Sequence, residues 1–340
     1  MKRTRQASLR NLNSFSVEAF ADQLLELDSA DDLQEFTSTH RFDPACDLVL
    51  GGGSNILFAA DTHGTVILNR VTGKRIIADS NDEVLVEAWA GENWHKLVLW
   101  SLEQGLSGLE NLALIPGLAG AAPMQNIGAY GVELSDVFDS LEALDLNGGG
   151  MREFKHGDCH FGYRDSRFKS HDAGRFLIIR IRLRLRRHFV PKLAYQGVRE
   201  ELNTMGIDEP GPAEVSEAVI RIRRRKLPDP AVTGNAGSFF KNPVVSRSLA
   251  EQLQKDLPGL PLYSQENDQV KLSAAWLIEH CGWKGRSMGR AAVSAQHALV
   301  LINKGDATGS EILALAEAVQ ASVKTNFGVE LEPEPLIIGA

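Results

Sequence analysis

The chain has 340 residues, of which 43% are hydrophobic and 24% charged, with a formal net charge of -8 and a pI near 5.7. That length exceeds one ordinary core and points to about two domains or slightly more. The acidic balance excludes general nucleic-acid binding, which needs a broad basic surface. Three scattered cysteines, Cys46, Cys159 and Cys281, point to a reducing cytoplasm rather than a disulfide framework. Residues 1–10 are basic and polar, unlike a secretory signal. No run approaches the ~18 apolar residues of a membrane span, so a cytoplasmic protein without membrane partners is expected.

In chain order, residues 17–27 read as a helix and a second helical pattern restarts at Asp31. A short apolar strand at 48–50 leads into Gly51, Gly52, Gly53, Ser54 and Asn55, then a second apolar run at 56–58. Such a loop is either a plain hairpin connection or a nest of backbone amides for phosphate oxygens. It is not the Gly-x-Gly-x-x-Gly dinucleotide fingerprint, and no Walker loop occurs. Residues 65–69 and 84–90 read as strands. Asn93 is placed to cap a helix running to Gln104, with Trp94, Leu97, Val98 and Leu102 inward and Gly105 beyond its end.

The run 114–131 is nearly uncharged and small, with two prolines and four glycines that a helix would not tolerate. It fits a backbone track against a large flat ligand, with amides as donors and Tyr130 as a cover, or a tightly packed loop. A hairpin follows around 147–150. His156, Cys159 and His160 make only a partial metal constellation on a polar loop, and no metal is expected. From 179 to 186 aliphatic residues alternate with arginines, a half-buried strand whose arginines read as solvated edge charges.

Residues 213–225 form an amphipathic pattern on Val215, Ala218, Val219 and Ile222, and the closing cations complement the helix dipole. Leu227-Pro228-Asp229-Pro230 reads as a rigid connector near a domain boundary. Residues 234–243, Gly-Asn-Ala-Gly-Ser-Phe-Phe-Lys-Asn-Pro, set Ser238 behind glycines and before two apolar anchors. A turn, a nucleophile and a proton donor all fit that pattern. Helices are expected at 246–257, 272–281 and 310–326, and strands at 298–302 and 329–334. The last would bury Val329 and Leu331 and turn Glu330 and Glu332 outward. Gly285-Arg286-Ser287-Met288-Gly289 matches a hydrolase nucleophile elbow, but a helix-like segment precedes it and no histidine follows Asp306.

Residues 51–58, 111–133, 161–168, 226–230, 234–243 and 331–333 together resemble, in order and over nearly the whole chain, the UDP-N-acetylenolpyruvoylglucosamine reductase family. The resemblance implies an α+β fold. A two-subdomain FAD-binding region of the vanillyl-alcohol-oxidase type would occupy 1–70, joined by 329–340, and 71–225. A substrate-binding domain would occupy 226–328. It implies FAD as cofactor and NADPH as co-substrate, and hydride delivery to the enolpyruvyl ether of UDP-N-acetylglucosamine to give UDP-N-acetylmuramate for peptidoglycan. A monomer without an obligatory protein partner is expected.

Residues 191–202 look like the extra element of the family's type I branch, with Tyr195 over the substrate diphosphate. Carried over from the family, Arg164 and Glu332 lie beside the substrate carboxylate and Ser238 donates the proton. FAD falls to Gly51, Gly52, Gly53, Ser54, Asn55, Ile115, Pro116, Gly117, Ala122, Asn126, Gly128, Ala129, Tyr130 and Gly131. Substrate falls to Tyr195, Lys226, Asn242, Tyr263, Lys284 and His297. Ala121 and Ala122 stand where many relatives have serines, which removes hydroxyl contacts to the FAD pyrophosphate. Two other readings are an oxidase on the same FAD fold and a non-catalytic nucleotide-sugar binder.

Overall fold

The computed structural model describes residues 1–265 and 267–339, a mixed chain of helices and strands. By contact it divides into two compact units: Met1–Ala7, Ala21–Gly52 and His63–Arg224 in the first, and Ser8–Phe20, Gly53–Thr62 and Arg225 onward in the second. The segments 8–20 and 53–62 therefore cluster with the C-terminal residues, not with the rest of 1–70.

The first unit carries a five-stranded antiparallel sheet in the order Gly150–Lys155, Phe138–Asp145, Phe176–Arg186, Glu83–Trp89 and Lys74–Asp79. Its apolar face packs on the helices Trp94–Glu103 and Pro212–Lys226, which bury Trp94, Leu97, Val98, Val215, Ala218, Val219 and Ile222. Asn93 caps the first helix by accepting from the Lys96 amide. The hairpin around 147–150 is present, with Asp145 opposite Gly150. A four-stranded sheet runs Lys2–Ser8, Phe20–Leu27, Thr62–Asn69 and Leu48–Leu50.

Two expectations are corrected here. Phe20–Leu27 is a strand, not part of a helix, and lies between two neighbours. Leu24 to Leu27 are all buried, so this segment lacks the alternation that marks a half-buried strand. Pairing on both edges overrides its helix-favouring leucines and glutamate. The second correction concerns the arginines of Phe176–Arg186, which sit on the central strand. Buried Glu87 receives Arg75 Nη2 at 2.8 Å and Arg182 Nε at 3.1 Å, with Arg180 at 3.6 Å. Arg182 also pairs with Glu142 and Glu153, and Arg184 with Asp139 and Glu83.

Burial pushes the Glu87 carboxyl up, but Arg75, Arg182 and Arg180 outweigh it and hold the group below its ordinary value of 4.5. Glu87→Gln should destabilise the first unit by about 2 to 3 kcal/mol at neutral pH, because it leaves three guanidinium groups facing an uncharged amide. A depressed carboxylate contributes stability above the unfolded value, and that contribution fades as pH falls through the folded one. Urea unfolding of the two proteins should therefore converge in acid.

The second unit contains a four-stranded sheet, Asn235–Ser238, Val300–Asn303, Ala291–Val293 and Ser287–Met288, and a three-stranded one, Val244–Ser246, Gln269–Leu272 and Leu262–Ser264. Helices Arg247–Asp256, Ala274–His280 and Gly309–Phe327 start at side-chain caps from Ser246, Ser273 and Thr308. Ser287 thus lies on a strand, with no elbow.

Residues 329–334 do not form the expected strand. Val329 and Leu331 are buried and Glu330 and Glu332 exposed, as alternation requires, but the segment makes only a bridge between Phe240 and Pro333. Pro333 and Pro335 lack the N–H a ladder needs. The final strand is Leu336–Ile338, parallel to Ile56–Phe58. No helix among the described residues is long and apolar enough to cross a membrane.

Candidate active site

In the first unit the chain leaves Leu48–Leu50 through two glycines in close contact with the run 117–121. A Cβ on Gly51 would lie 3.0 Å from the Ala121 Cβ, and one on Gly52 only 2.9 Å from the Gly117 Cα. Glycine is required for that approach. In the second unit Gly53 takes φ +63, its carbonyl accepts from the Ser14 amide at 2.9 Å, and an added Cβ would lie 1.8 Å from the Leu12 carbonyl oxygen. Asn13 braces this turn by donating to Leu9 and Val17 carbonyls. Ser14 Oγ is buried without a hydrogen-bond partner among the described residues.

Within the run 114–131 the amides of 119–122 are used inside the fold. Ala119 N–H donates to Glu92 O, Gly120 to Ala90 O, Ala121 to Leu118 O and Ala122 to Ala119 O, all within 2.8–3.2 Å. The segment coils as a 3-10 turn, so these donors are used within the fold. Asn126 is buried at φ +45, its amide donating to Glu133 and the Gly162 carbonyl and its oxygen accepting from Ser135 N–H. Its side chain is a brace for the turn.

Arg164 is gathered with the end of this run. Its Nη2 donates to the Gly128 carbonyl at 2.6 Å, and its Nη1 lies 3.9 Å from Glu133. Tyr130, at φ +51, meets the exposed Tyr195 ring edge-on at 5.1 Å. Arg223 joins them, bonding the Leu114 carbonyl through Nε at 3.2 Å and the Tyr130 side chain. Burial, opposed by Tyr130 and reinforced by Arg164, lowers its guanidinium from the ordinary arginine value. By sequence alone Arg223 is one of the cations closing a helix. Its spacing of four from buried Val219 is the signal that sets it on the inner face.

In the second unit Ser238 ends a strand with an irregular register, Asn235 opposite Ile302 but Ser238 opposite Val300. Gly237 at φ +70 makes the bulge, and its amide is held by Asn235 Oδ1 at 2.9 Å. Such bulges re-aim a side chain. Phe239 and Phe240 are fully buried and anchor the segment. The following residues pair with the segment around Glu332: Lys241 N–H donates to Glu332 O at 2.9 Å and Glu334 N–H to Phe239 O at 2.8 Å. Glu332 thus lies opposite Lys241, three residues on from Ser238. The exposed Glu332 carboxylate is paired with the Lys241 ammonium.

The remaining residues are placed less uniformly. His297 Nδ1 accepts from the Leu299 amide at 3.3 Å, and Leu299 O in turn accepts from Phe239 N–H. Burial, then Lys226 and Lys284, hold this imidazole below its ordinary value and keep it neutral at pH 7. Lys226, Lys284 and His297 are therefore grouped. Lys284 also pairs with Glu279 at 3.0 Å. Asn242 Oδ1 accepts from the Ala274 amide, which makes it a brace for a helix start. Tyr263 lies exposed on the separate three-stranded sheet.

Comparison with known proteins then decides the family. Residues 21–155 match a model described as FAD binding domain, and 229–338 one described as UDP-N-acetylenolpyruvoylglucosamine reductase, C-terminal domain. The chain is 49% identical over 328 residues to the UDP-N-acetylenolpyruvoylglucosamine reductase of Burkholderia multivorans, spanning 96% of this chain and 94% of that one. It is 52% identical to that of Pseudomonas aeruginosa, over 96% of both. The chain belongs to the UDP-N-acetylenolpyruvoylglucosamine reductase family. The solved reductase of Thermus caldophilus has the same fold, with TM-score 0.64 at 23% identity over 99% of this chain and 98% of that one.

The residues present fit the flavin that such reductases require. At Gly51, Gly52 and Gly53 the would-be Cβ positions are filled by Ala121, Gly117 and Leu12, so the turn has to be built of glycine main chain. A glycine turn without side chains is compatible with a pyrophosphate bound by main-chain amides.

Proposed function

We propose that the chain catalyses the NADPH-dependent, FAD-mediated reduction of UDP-N-acetylglucosamine enolpyruvate to UDP-N-acetylmuramate in peptidoglycan precursor synthesis. The observation that carries this reading is Ser238, aimed by a bulge and anchored by two buried phenylalanines that lead into the pairing of Lys241 with Glu332, in a chain of this family. Bound FAD supplies the hydride, taken from NADPH.

The chain's residues handle charge and protons. An enol ether conjugated to a carboxylate accepts hydride at its terminal carbon, and negative charge then grows on the carboxylate. Arg164 forks onto that group. Ser238 gives its proton to the adjacent carbon, a basic centre for which a weak acid suffices. Glu332, held by Lys241, lies beside the same carboxylate. Tyr195 and Lys226 hold the diphosphate, and Asn242, Tyr263, Lys284 and His297 line the substrate. Gly51 to Asn55, Ile115 to Gly117, Ala122, Asn126 and Gly128 to Gly131 hold the flavin. The division into flavin-binding residues 1–70, joined by 329–340, and 71–225, and substrate-binding residues 226–328, a monomeric state and a cytoplasmic location belong to the same proposal.

The purified protein should be yellow, absorbing at roughly 450 nm. NADPH should bleach it anaerobically, and the enolpyruvyl nucleotide should restore the colour. Rapid recolouring by oxygen alone would favour an oxidase. A colourless protein that cannot be reconstituted with FAD would sink both.

A further inference from the structure

We infer that His95 and Arg223 are positioning residues that clamp Leu114 in a left-handed backbone conformation, and so set the run 115–117 against the flavin. This rests on the proposed flavin contact of that run. Leu114 has φ +58, a region that a leucine avoids because its Cβ crowds the following carbonyl. Both its backbone groups are held by side chains from helices. Its N–H donates to His95 Nδ1 at 3.0 Å, and its carbonyl accepts from Arg223 Nε at 3.2 Å.

The grip extends along the run. Beside His95, Trp94 donates through Nε1 to the Leu112 carbonyl at 3.0 Å and through its amide to the Gly117 carbonyl at 3.1 Å. Arg223 also bonds the Tyr130 side chain, and Asn111 donates to the Tyr130 carbonyl at 2.9 Å. The first turn of one helix and the last turn of another therefore fasten the run at both ends. The local chain does not favour the Leu114 conformation, so these partners have to impose it.

Accepting a bond at Nδ1 requires that nitrogen to be unprotonated. The charged groups facing His95 are Arg224 and Arg223, and burial first, then those two cations, lower its pKa from the usual histidine value. A histidine kept neutral by folding stabilises the clamp above its unfolded value. That contribution is lost as pH falls through the lowered one.

The test is the FAD dissociation constant, read by flavin fluorescence across pH 5 to 8. His95→Ala should weaken FAD binding by about tenfold. His95→Asn, whose Oδ1 replaces Nδ1 as acceptor, should restore it. Wild-type affinity should fall in acid, while the asparagine variant stays flat. Leu114→Gly removes the left-handed penalty, so adding His95→Ala to it should cost little further affinity. If His95→Ala does not fold, the asparagine variant and the double variant still decide. Equal losses with and without Leu114→Gly, or the same pH dependence in wild type and His95→Asn, would overturn the clamp alone. A wild-type protein that takes up no FAD at any pH would overturn the flavin reading and the clamp with it.

Discussion

Ser238→Ala is expected to slow reoxidation by the enolpyruvyl nucleotide by roughly a hundred- to ten-thousand-fold, with flavin reduction by NADPH unchanged. The substitution removes the hydroxyl and little else. Ser238 is held by its neighbours, through the Gly237 bulge, the buried Phe239 and Phe240, and backbone bonds to Leu299 and Glu332. None of these uses the serine side chain, so the backbone should survive intact. Anaerobic stopped-flow traces of the two half-reactions make the comparison directly. Equal losses in both would refute the proton-donor role and point to a general disturbance of the site.

Gly53→Ala should destabilise the second unit by about 3 to 5 kcal/mol and abolish FAD retention, whereas Gly105→Ala should cost about 1 kcal/mol. Both glycines have positive φ, +63 and +71, so both pay the left-handed penalty. They differ in space. A Cβ at Gly105 meets nothing within 4 Å, while at Gly53 it meets the Leu12 carbonyl oxygen at 1.8 Å and the Asn13 Cα at 2.9 Å. Those are backbone atoms, which no rotamer change can move aside. Urea unfolding of the two variants separates conformational strain from collision, and equal losses would mean that the Gly53 turn yields easily.

Helices were the most legible part of the fold, because Asn93, Gly105 and Gly328 mark their ends by local chemistry. Phe20–Leu27 was not legible, since a strand buried along its second half carries no period of two. Strands of two or three residues such as Ser287–Met288 and Leu262–Ser264 are too short to show any period at all. The site was readable only as separate runs, and spacing alone left residues 234–243 open between turn and catalytic loop. The resemblance supplied roles for Ser238, Arg164 and Glu332. It did not supply the partners, because Lys241 lies 91 residues from Glu332 and Arg223 lies 109 from Leu114. At residues 119–122 the composition fitted a ligand track and a tight internal turn equally, and their amides are bonded within the fold.

The parallel pairing of Leu336–Ile338 with Ile56–Phe58 bears on how the molecule is made. Asn55 and Glu334 are bonded across 279 residues, and segments 8–20 and 53–62 cluster with residues beyond 224. On a ribosome these two early segments emerge long before the surfaces that cover them. Contacts so distant in sequence close slowly. The apolar Ile56-Leu57-Phe58 edge is thus exposed through most of synthesis, the interval in which a nascent chain is most exposed to aggregation.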